Sequence, residues 1–259
     1  MKSAQEKRIA RGAVAHYEDA AYYDHAYKRR RDDVKFYVEL ARRARGPVLE
    51  LGAGTGRVTA PIAEAGVEIV AVEPVKAMRL RGQEKTRQLD VTWRAGDARS
   101  IRLRRKFALV IAPFNVFMHL YTRRDLERAL ATVKAHLAPS GKFVFDVLTP
   151  DLRAMVREPG RLYRGPNFTL AGKRYEYFEA FEYDAVRQVQ LVSMVFQSLD
   201  ALDDLRSLPL SQRQFFPEEL AMLLHYNGFA ISQRFGDFTF GPLTSESESQ
   251  VIVARKART

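Results

Sequence analysis

The stretch Val48-Leu49-Glu50-Leu51-Gly52-Ala53-Gly54-Thr55-Gly56 constrains the fold of this sequence more than any other. A short apolar run ends in three glycines spaced two apart. RVTAPIAEAG (57–66) then reads as a helical stretch and EIVAVEP (68–74) as a second apolar run. Strand, glycine turn, helix and strand make a βαβ unit, and its crossover forces the two strands to be parallel. The alternation continues with strand ends at VTWRAGD (91–97) and FALVIAPF (107–114), a helix over TRRDLERALATVKAHLAPSG (122–141) and a buried strand at KFVFDVL (142–148). In that helix Leu126, Leu130, Val133 and Leu137 form one stripe, Thr122 and Asp125 resemble a capping box with a shortened acid, and Gly141 stands where a C-terminal cap belongs. Upstream, Val34, Tyr37, Val38 and Ala41 recur at helical spacing until Gly46 and Pro47 stop them. Downstream, PEELAMLLHYNG (217–228) reads as a last helix, followed by two strands, FAISQRFGDF (229–238) and QVIVARKA (250–257).

Residues 160–210 break this rhythm. RYEYFEAFEYD (174–184) and QVQLVSMVFQSL (188–199) alternate with period two around a turn near Asp184 to Arg187, the pattern of an antiparallel hairpin. The insertion is dense in rings, among them Tyr163, Phe168, Tyr175, Tyr177, Phe178, Phe181 and Tyr183. These suit either strand surface packed on the main sheet or a lid or dimer face. A chain of 259 residues with 46% hydrophobic residues has room for one α/β core carrying such an insertion. The absence of cysteine excludes disulfides, thiolate-zinc and iron-sulfur sites and a cysteine nucleophile. No metal site is expected.

The net charge of +11 is uneven: residues 76 to 106 hold eleven Lys or Arg against three acids. Such a segment can attract a polyanion or serve as a solvated basic face. It lacks the interleaved aromatics of a single-strand platform, with Trp93 its one large ring. MKSAQEKRIARG has no apolar stretch behind it and no long apolar run follows, so a cytoplasmic protein without a membrane anchor is expected.

A glycine turn directly after a strand lets backbone amides and a helix start approach a ligand closely, which suits a nucleotide-like cofactor. The spacing is G-x-G-x-G. A dinucleotide fingerprint would place its third glycine at Arg57, and a phosphate-binding P-loop would end in Gly-Lys-Ser/Thr. Glu73 ends the second strand, where a carboxylate offers acceptors to both hydroxyls of a ribose. Gly96 and Asp97 end the third, where an acid can accept from an adenine amino group. Each acid alone also suits a cap or a surface position; successive strand ends on one sheet edge are harder to reach by accident.

With these motifs the sequence resembles the class I S-adenosylmethionine-dependent methyltransferases, over residues 20–150 and again over the last helix and two strands. The resemblance implies a Rossmann-like, doubly wound, seven-stranded α/β sheet with an antiparallel last strand and a β-rich antiparallel insertion. It implies an N-terminal helical cap (1–46) over the cofactor site, a methyltransferase core (47–159 and 211–259) and a lid or dimer face (160–210). It also implies S-adenosylmethionine as cofactor and S-adenosylhomocysteine as product. By likeness, Glu50, Gly52, Ala53, Gly54, Gly56 and Arg57 hold the methionine end, Glu73 and Pro74 the ribose, and Asp97 and Ala98 the adenine. Ala112, Pro113, Phe114 and Asn115 lie beside the transferred methyl.

The N-terminal AYYDHAY (21–27), PFNVFMHL (113–120) and the insertion are similar to small-molecule methyltransferases, including those of nucleotide-linked aminosugars. In that group a tyrosine and a histidine approach the substrate nitrogen. His119 matches the histidine. Tyr23 is taken as the catalytic tyrosine among Tyr22, Tyr23 and Tyr27, with Tyr22, Tyr27, Asn115 and Tyr175 as substrate contacts.

Methyl transfer is an in-line displacement, so few residues need be catalytic; positioning and removal of one proton suffice. His119, with an ordinary pKa of about 6.5, suits the proton role, or else a structural hydrogen bond. His136 and His225 read as structural. Carbon-5 cytosine and arsenic methylation require cysteine, and APFN (112–115) lacks the Asn/Asp-Pro-Pro-Tyr/Phe loop of adenine and glutamine amide methylation. The expectation is transfer to an amine or hydroxyl of a small molecule, with a possible homodimer. RNA or protein methylation through the basic surface and a catalytically silent cofactor-binding module stand as alternatives.

Overall fold

The computed structural model describes residues 3–201 and 203–257. The chain folds as two compact units: one takes the chain up to Tyr27 with Pro150–Gln214, the other Lys28–Thr149 with Phe215 onward.

The second unit is built on a seven-stranded sheet. Its strands are β1 (Val48–Leu51), β2 (Ile69–Glu73), β3 (Val91–Ala95), β4 (Phe107–Ala112), β5 (Leu137–Leu148), β11 (Phe229–Phe235) and β12 (Ser249–Lys256). The order is β11-β12-β5-β4-β1-β2-β3. β1 to β5 pair in parallel, whereas β12 runs antiparallel to both β5 and β11, as the sequence suggests for the last strand. β1 and β2 are buried at every position, as strands covered on both faces must be. One face is sealed by α6 (Arg123–His136) and α8 (Pro217–Tyr226), which bury Leu126, Leu130, Val133, Leu220 and Leu224 with Phe143 and Phe145. The other is sealed by α3 (Asp32–Ala44) and α4 (Thr59–Glu64), through Phe36, Tyr37, Ala41, Val58 and Ile62. α5 (Lys76–Lys85) follows β2.

The first unit holds α1 (Ala4–Gly12), α2 (Ala20–Tyr27) and α7 (Leu152–Met155). With them stands an antiparallel sheet of β6 (Tyr163–Arg164), β7 (Phe168–Leu170), β8 (Lys173–Asp184), β9 (Val189–Ser198) and β10 (Leu205–Arg213). The predicted hairpin is β8 and β9, paired from Tyr175 with Ser198 to Asp184 with Val189. α1 opens on a Ser3–Glu6 capping box within the segment expected to be helical, whereas β10 was not read from sequence. Glu182 receives Arg8 in a two-point bridge that ties α1 to β8.

Two local readings are corrected. Gly141 is no helix cap: α6 ends at His136 and the chain passes straight into β5. A Cβ at Gly141 would lie 2.9 Å from the Phe107 carbonyl oxygen, so the glycine serves close strand approach where the β4–β5 register shifts. The shortened box at the start of α6 holds: the Thr122 hydroxyl accepts from the Asp125 N–H and donates to the Asp125 carboxylate, on which the Thr122 backbone also acts. The α3 stop falls on Arg45, at φ 49°, one residue before Gly46.

Candidate active site

The glycine turn leaves β1 with Gly52, Gly54 and Gly56 all in the left-handed region, at φ 72°, 57° and 79°. A Cβ at Gly52 would lie 2.5 Å from Val116 Cγ2, so this loop abuts the segment after β4. The turn was expected to aim its amides at a ligand. Instead the N–H groups of Gly52 and Ala53 donate to the Val72 carbonyl, that of Gly56 to Ala53, and that of Gly54 to the Glu73 carboxylate. With these four amides bonded to protein, the loop has little left to offer an anion; α4 is also only six residues long.

The charge around the turn points the other way. Glu50, Glu73, Asp33 and Asp146 are buried and Asp97 is half-buried at this end of the sheet. Glu50 accepts from the Thr59 hydroxyl, and burial pushes its carboxyl up to about 8. Glu73 Oε2 accepts from Gly54 N–H and Oε1 from Val75 N–H, each at 2.8 Å, and burial raises its pKa. An ionised carboxylate has about four lone-pair positions, so each Glu73 oxygen keeps one for a further donor. Pro74, beside it, is exposed.

Asp97 is held by Arg99 through its side chain and backbone N–H, and these bonds keep its carboxyl below the usual range. Arg99 also reaches Asp125 at 2.9 Å. Three of the four acceptor positions of Asp97 are thus occupied, and one on Oδ2 remains. Ala98 is half-buried beside it.

Arg57 does not extend the glycine loop toward a ligand phosphate. Its guanidinium forks onto Asp33 of α3, bonds the Arg30 carbonyl and lies 4.7 Å from the Phe114 ring centroid. Position 57 is therefore a strut between the turn and α3, which explains an arginine where a dinucleotide fold needs glycine.

Ala112 ends β4 and Pro113 follows it, both buried. Phe114 and Asn115 follow in the left-handed region, at φ 61° and 65°. Asp146 of β5, absent from the sequence reading, holds this turn: Oδ1 accepts from Phe114 N–H and from the Tyr37 hydroxyl, and Oδ2 from Asn115 N–H. A 3-10 turn over Val116–His119 then presents His119, half-buried, with Nδ1 3.3 Å from the Tyr121 hydroxyl.

His136 is structural, as expected: its two ring nitrogens face the Thr132 carbonyl and the Leu103 N–H. The basic segment is largely engaged within its own unit. Arg79 bonds the Glu73 carbonyl, Arg81 Glu84, Lys85 Thr55, Arg102 Thr132, Arg105 Glu68 and Lys106 the Ala135 carbonyl.

The tyrosine candidates all belong to the other unit. Tyr22 and Tyr175 are buried together with Met194 and Phe196. Tyr23 is buried too, its ring 4.8 Å from that of Tyr27. The Tyr27 hydroxyl lies 2.9 Å from Nε2 of His16, a buried histidine whose pKa burial lowers to about 4. Four tyrosine rings surround His16.

Residues 48–141 match the model of a methyltransferase domain family. The chain is 23% identical over 225 residues to the putative methyltransferase YqeM of Bacillus subtilis, covering 86% of this chain and 89% of that protein. Among solved structures it is similar to the CcbJ methyltransferase of Streptomyces caelestis, with TM-score 0.80 and 24% identity over 95% of this chain and 99% of that one. It is also similar to CalS10, an amino pentose methyltransferase of Micromonospora echinaspora solved with S-adenosylmethionine, with TM-score 0.70 and 20% identity over 91% and 97%. The chain has the fold of S-adenosylmethionine-dependent methyltransferases. Among the described residues no helix is long and apolar enough to cross a membrane.

Proposed function

We propose that this chain binds S-adenosylmethionine at the carboxyl end of its parallel sheet and transfers the methyl group to an amine or hydroxyl of a small molecule. One observation carries the reading: Glu73, 5% exposed at the end of β2, is braced by two backbone N–H groups with one acceptor position left on each oxygen. Two neighbouring hydroxyls of a ribose fit that arrangement. The carboxylate-rich surroundings and the satisfied loop amides fit a ligand carrying positive charge better than a phosphate. Asp97 keeps one acceptor for an amino group, and Gly52 makes room where a side chain would collide with Val116.

Bound S-adenosylmethionine supplies a methyl on a sulfonium, which the acceptor's lone pair takes in line as the carbon–sulfur bond breaks, leaving S-adenosylhomocysteine. The protein's part is orientation and the proton. His119 takes the proton released by the nitrogen or oxygen, with Tyr121 orienting its ring. Ala112 and Pro113 close the apolar side of the reacting centre.

The test is transfer of labelled methyl from S-adenosylmethionine into an extract of the source cell, separated by size, with Glu73→Ala as control. Label in small metabolites, lost in the variant, supports the reading. Label in RNA or protein replaces it with the macromolecular alternative, whose binding should weaken by orders of magnitude with moderate salt. Cofactor binding without label in any fraction favours the silent module.

A further inference from the structure

The turn after β4 carries two unusual features on adjacent residues. Phe114 and Asn115 are consecutive non-glycine residues in the left-handed region, an arrangement that costs free energy at each position. Asn115 is only 7% exposed, yet its side-chain oxygen Oδ1 is buried without a hydrogen-bond partner. Buried acceptors are nearly always satisfied, so this one calls for a donor from outside the chain. The next residue, Val116, packs against Gly52 of the glycine turn, which puts the unsatisfied oxygen in the segment bordering the proposed cofactor loop.

One residue maintains both features. Asp146 is 3% exposed on β5 and accepts three hydrogen bonds: Phe114 N–H at 2.8 Å, Asn115 N–H at 3.2 Å and the Tyr37 hydroxyl at 2.6 Å. Its two oxygens reach successive amides of the turn, one each. Tyr37, fully buried in α3, steadies the carboxylate from behind. Charged groups around this assembly are Asp33 and Glu50, which act on Tyr37, and Arg57 and Arg30, whose guanidinium groups lie over the Phe114 ring, Arg57 also pairing with Asp33.

We propose that Asp146 is a positioning residue whose carboxylate fixes the Phe114–Asn115 turn, so that the Asn115 carboxamide oxygen is held as an acceptor for an N–H or O–H donor of the bound ligand. The inference rests on the methyltransferase reading. The donor comes either from the ammonium group of the cofactor or from the amine or hydroxyl of the methyl acceptor.

Two variants separate positioning from plain stability. In Asp146→Asn the amide oxygen can keep the Tyr37 hydroxyl and the Phe114 N–H, but its NH2 faces the Asn115 N–H, donor against donor, and the turn opens there. Tyr37→Phe removes one buried hydrogen bond yet leaves both turn amides on the carboxylate. Both lower the melting temperature; only the first should disturb the turn. The readouts are backbone amide resonances and hydrogen exchange at Phe114 and Asn115, S-adenosylhomocysteine affinity by calorimetry, and labelled methyl transfer to the small-metabolite fraction.

The expected result is loss of amide protection at Asn115 in Asp146→Asn alone, with a functional defect shared by Asn115→Ala. A tenfold or larger loss of S-adenosylhomocysteine affinity in both identifies the cofactor ammonium as donor. Unchanged affinity with transfer down by about a hundredfold identifies the methyl acceptor, a loss typical of misplacement by about 1 Å. Asn115 protection equal in Asp146→Asn and Tyr37→Phe overturns the proposal, and so does function that follows melting temperature across the set. If Asp146→Asn does not fold, Asn115→Ala against Tyr37→Phe decides: equal affinity and transfer in these two overturns it. Wild-type protein that neither binds S-adenosylhomocysteine nor transfers label sinks the methyltransferase reading itself, and this inference with it.

Discussion

Replacing Glu73 by alanine removes the two acceptor positions assigned to a ribose and the two that hold Gly54 and Val75. Hydrogen bonds to a charged group contribute about 1.5–3 kcal/mol each, so loss of two to the ligand amounts to about 3–6 kcal/mol. At about 1.4 kcal/mol per factor of ten, affinity should fall by roughly two to four powers of ten. S-adenosylhomocysteine titration by calorimetry measures it directly. Trp93 offers a second signal: it is the one tryptophan of the chain, and its ring would lie 3.3 Å from a Cβ on Gly56. Because the loop could also loosen, the decisive comparison is a double-mutant cycle with a 2′-deoxy analogue of the ligand. Wild-type protein should discriminate against the analogue by about 1.5–3 kcal/mol, one charge-assisted bond, and Glu73→Ala hardly at all. Equal discrimination by both proteins would refute the assignment of Glu73 to the ribose.

Glu50 gives a pH prediction. Its folded pKa, about 8, is raised above the ordinary 4.5, so its contribution to stability is full below pH 4.5 and is lost as pH rises toward 8. The free protein should melt at a lower temperature at pH 8 than at pH 6. A cation bound nearby favours the ionised form, so cofactor affinity should rise over the same interval with proton release, visible as a binding enthalpy that depends on the buffer; Glu50→Gln should abolish that dependence. Gly52→Ala combines a left-handed residue with a 2.5 Å approach to Val116, and by the usual costs of strain and overpacking should destabilise by about 2–5 kcal/mol. Thermal melts check it, and Val116→Ala in the same chain should restore part of the loss. His119→Ala should leave S-adenosylhomocysteine affinity unchanged while transfer falls by about a hundredfold or more, as loss of a proton acceptor does; transfer at the wild-type rate would return His119 to a structural role.

The parallel sheet was readable because β1, β2 and β4 are largely buried apolar runs that stop at glycine, acid or proline and β3 stops at Gly96 and Asp97, signals that survive in one dimension. The acids Glu73 and Asp97 were readable for the same reason: they sit where a strand stops. The partners of those acids were not. That Arg99 occupies three acceptor positions of Asp97 follows from a fold-back over two residues that leaves no periodic mark. Asp146 drew no notice in the sequence, and its tie to residues 114 and 115 exists only because β5 lies beside β4. Arg57 broke a glycine pattern without revealing that Asp33 was the reason. Gly141 misled because a glycine after a helical stripe and a glycine inside a strand look alike until the register of the neighbouring strand is known.

The antiparallel seat of β12 between β5 and β11 bears on how the protein is made. β5 carries Phe143, Phe145 and Val147, all fully buried, and one of its two neighbours is synthesised only after the whole β-rich unit and α8. During vectorial synthesis on the ribosome, an apolar strand edge therefore stays unpaired while the intervening residues emerge. Unpaired apolar edges recruit other chains, so this interval is when the nascent protein is most exposed to aggregation and most in need of a chaperone. Truncation just before Ser249 should reproduce that state permanently, giving a chain that keeps its glycine turn and strand-end acids in sequence yet accumulates in insoluble form.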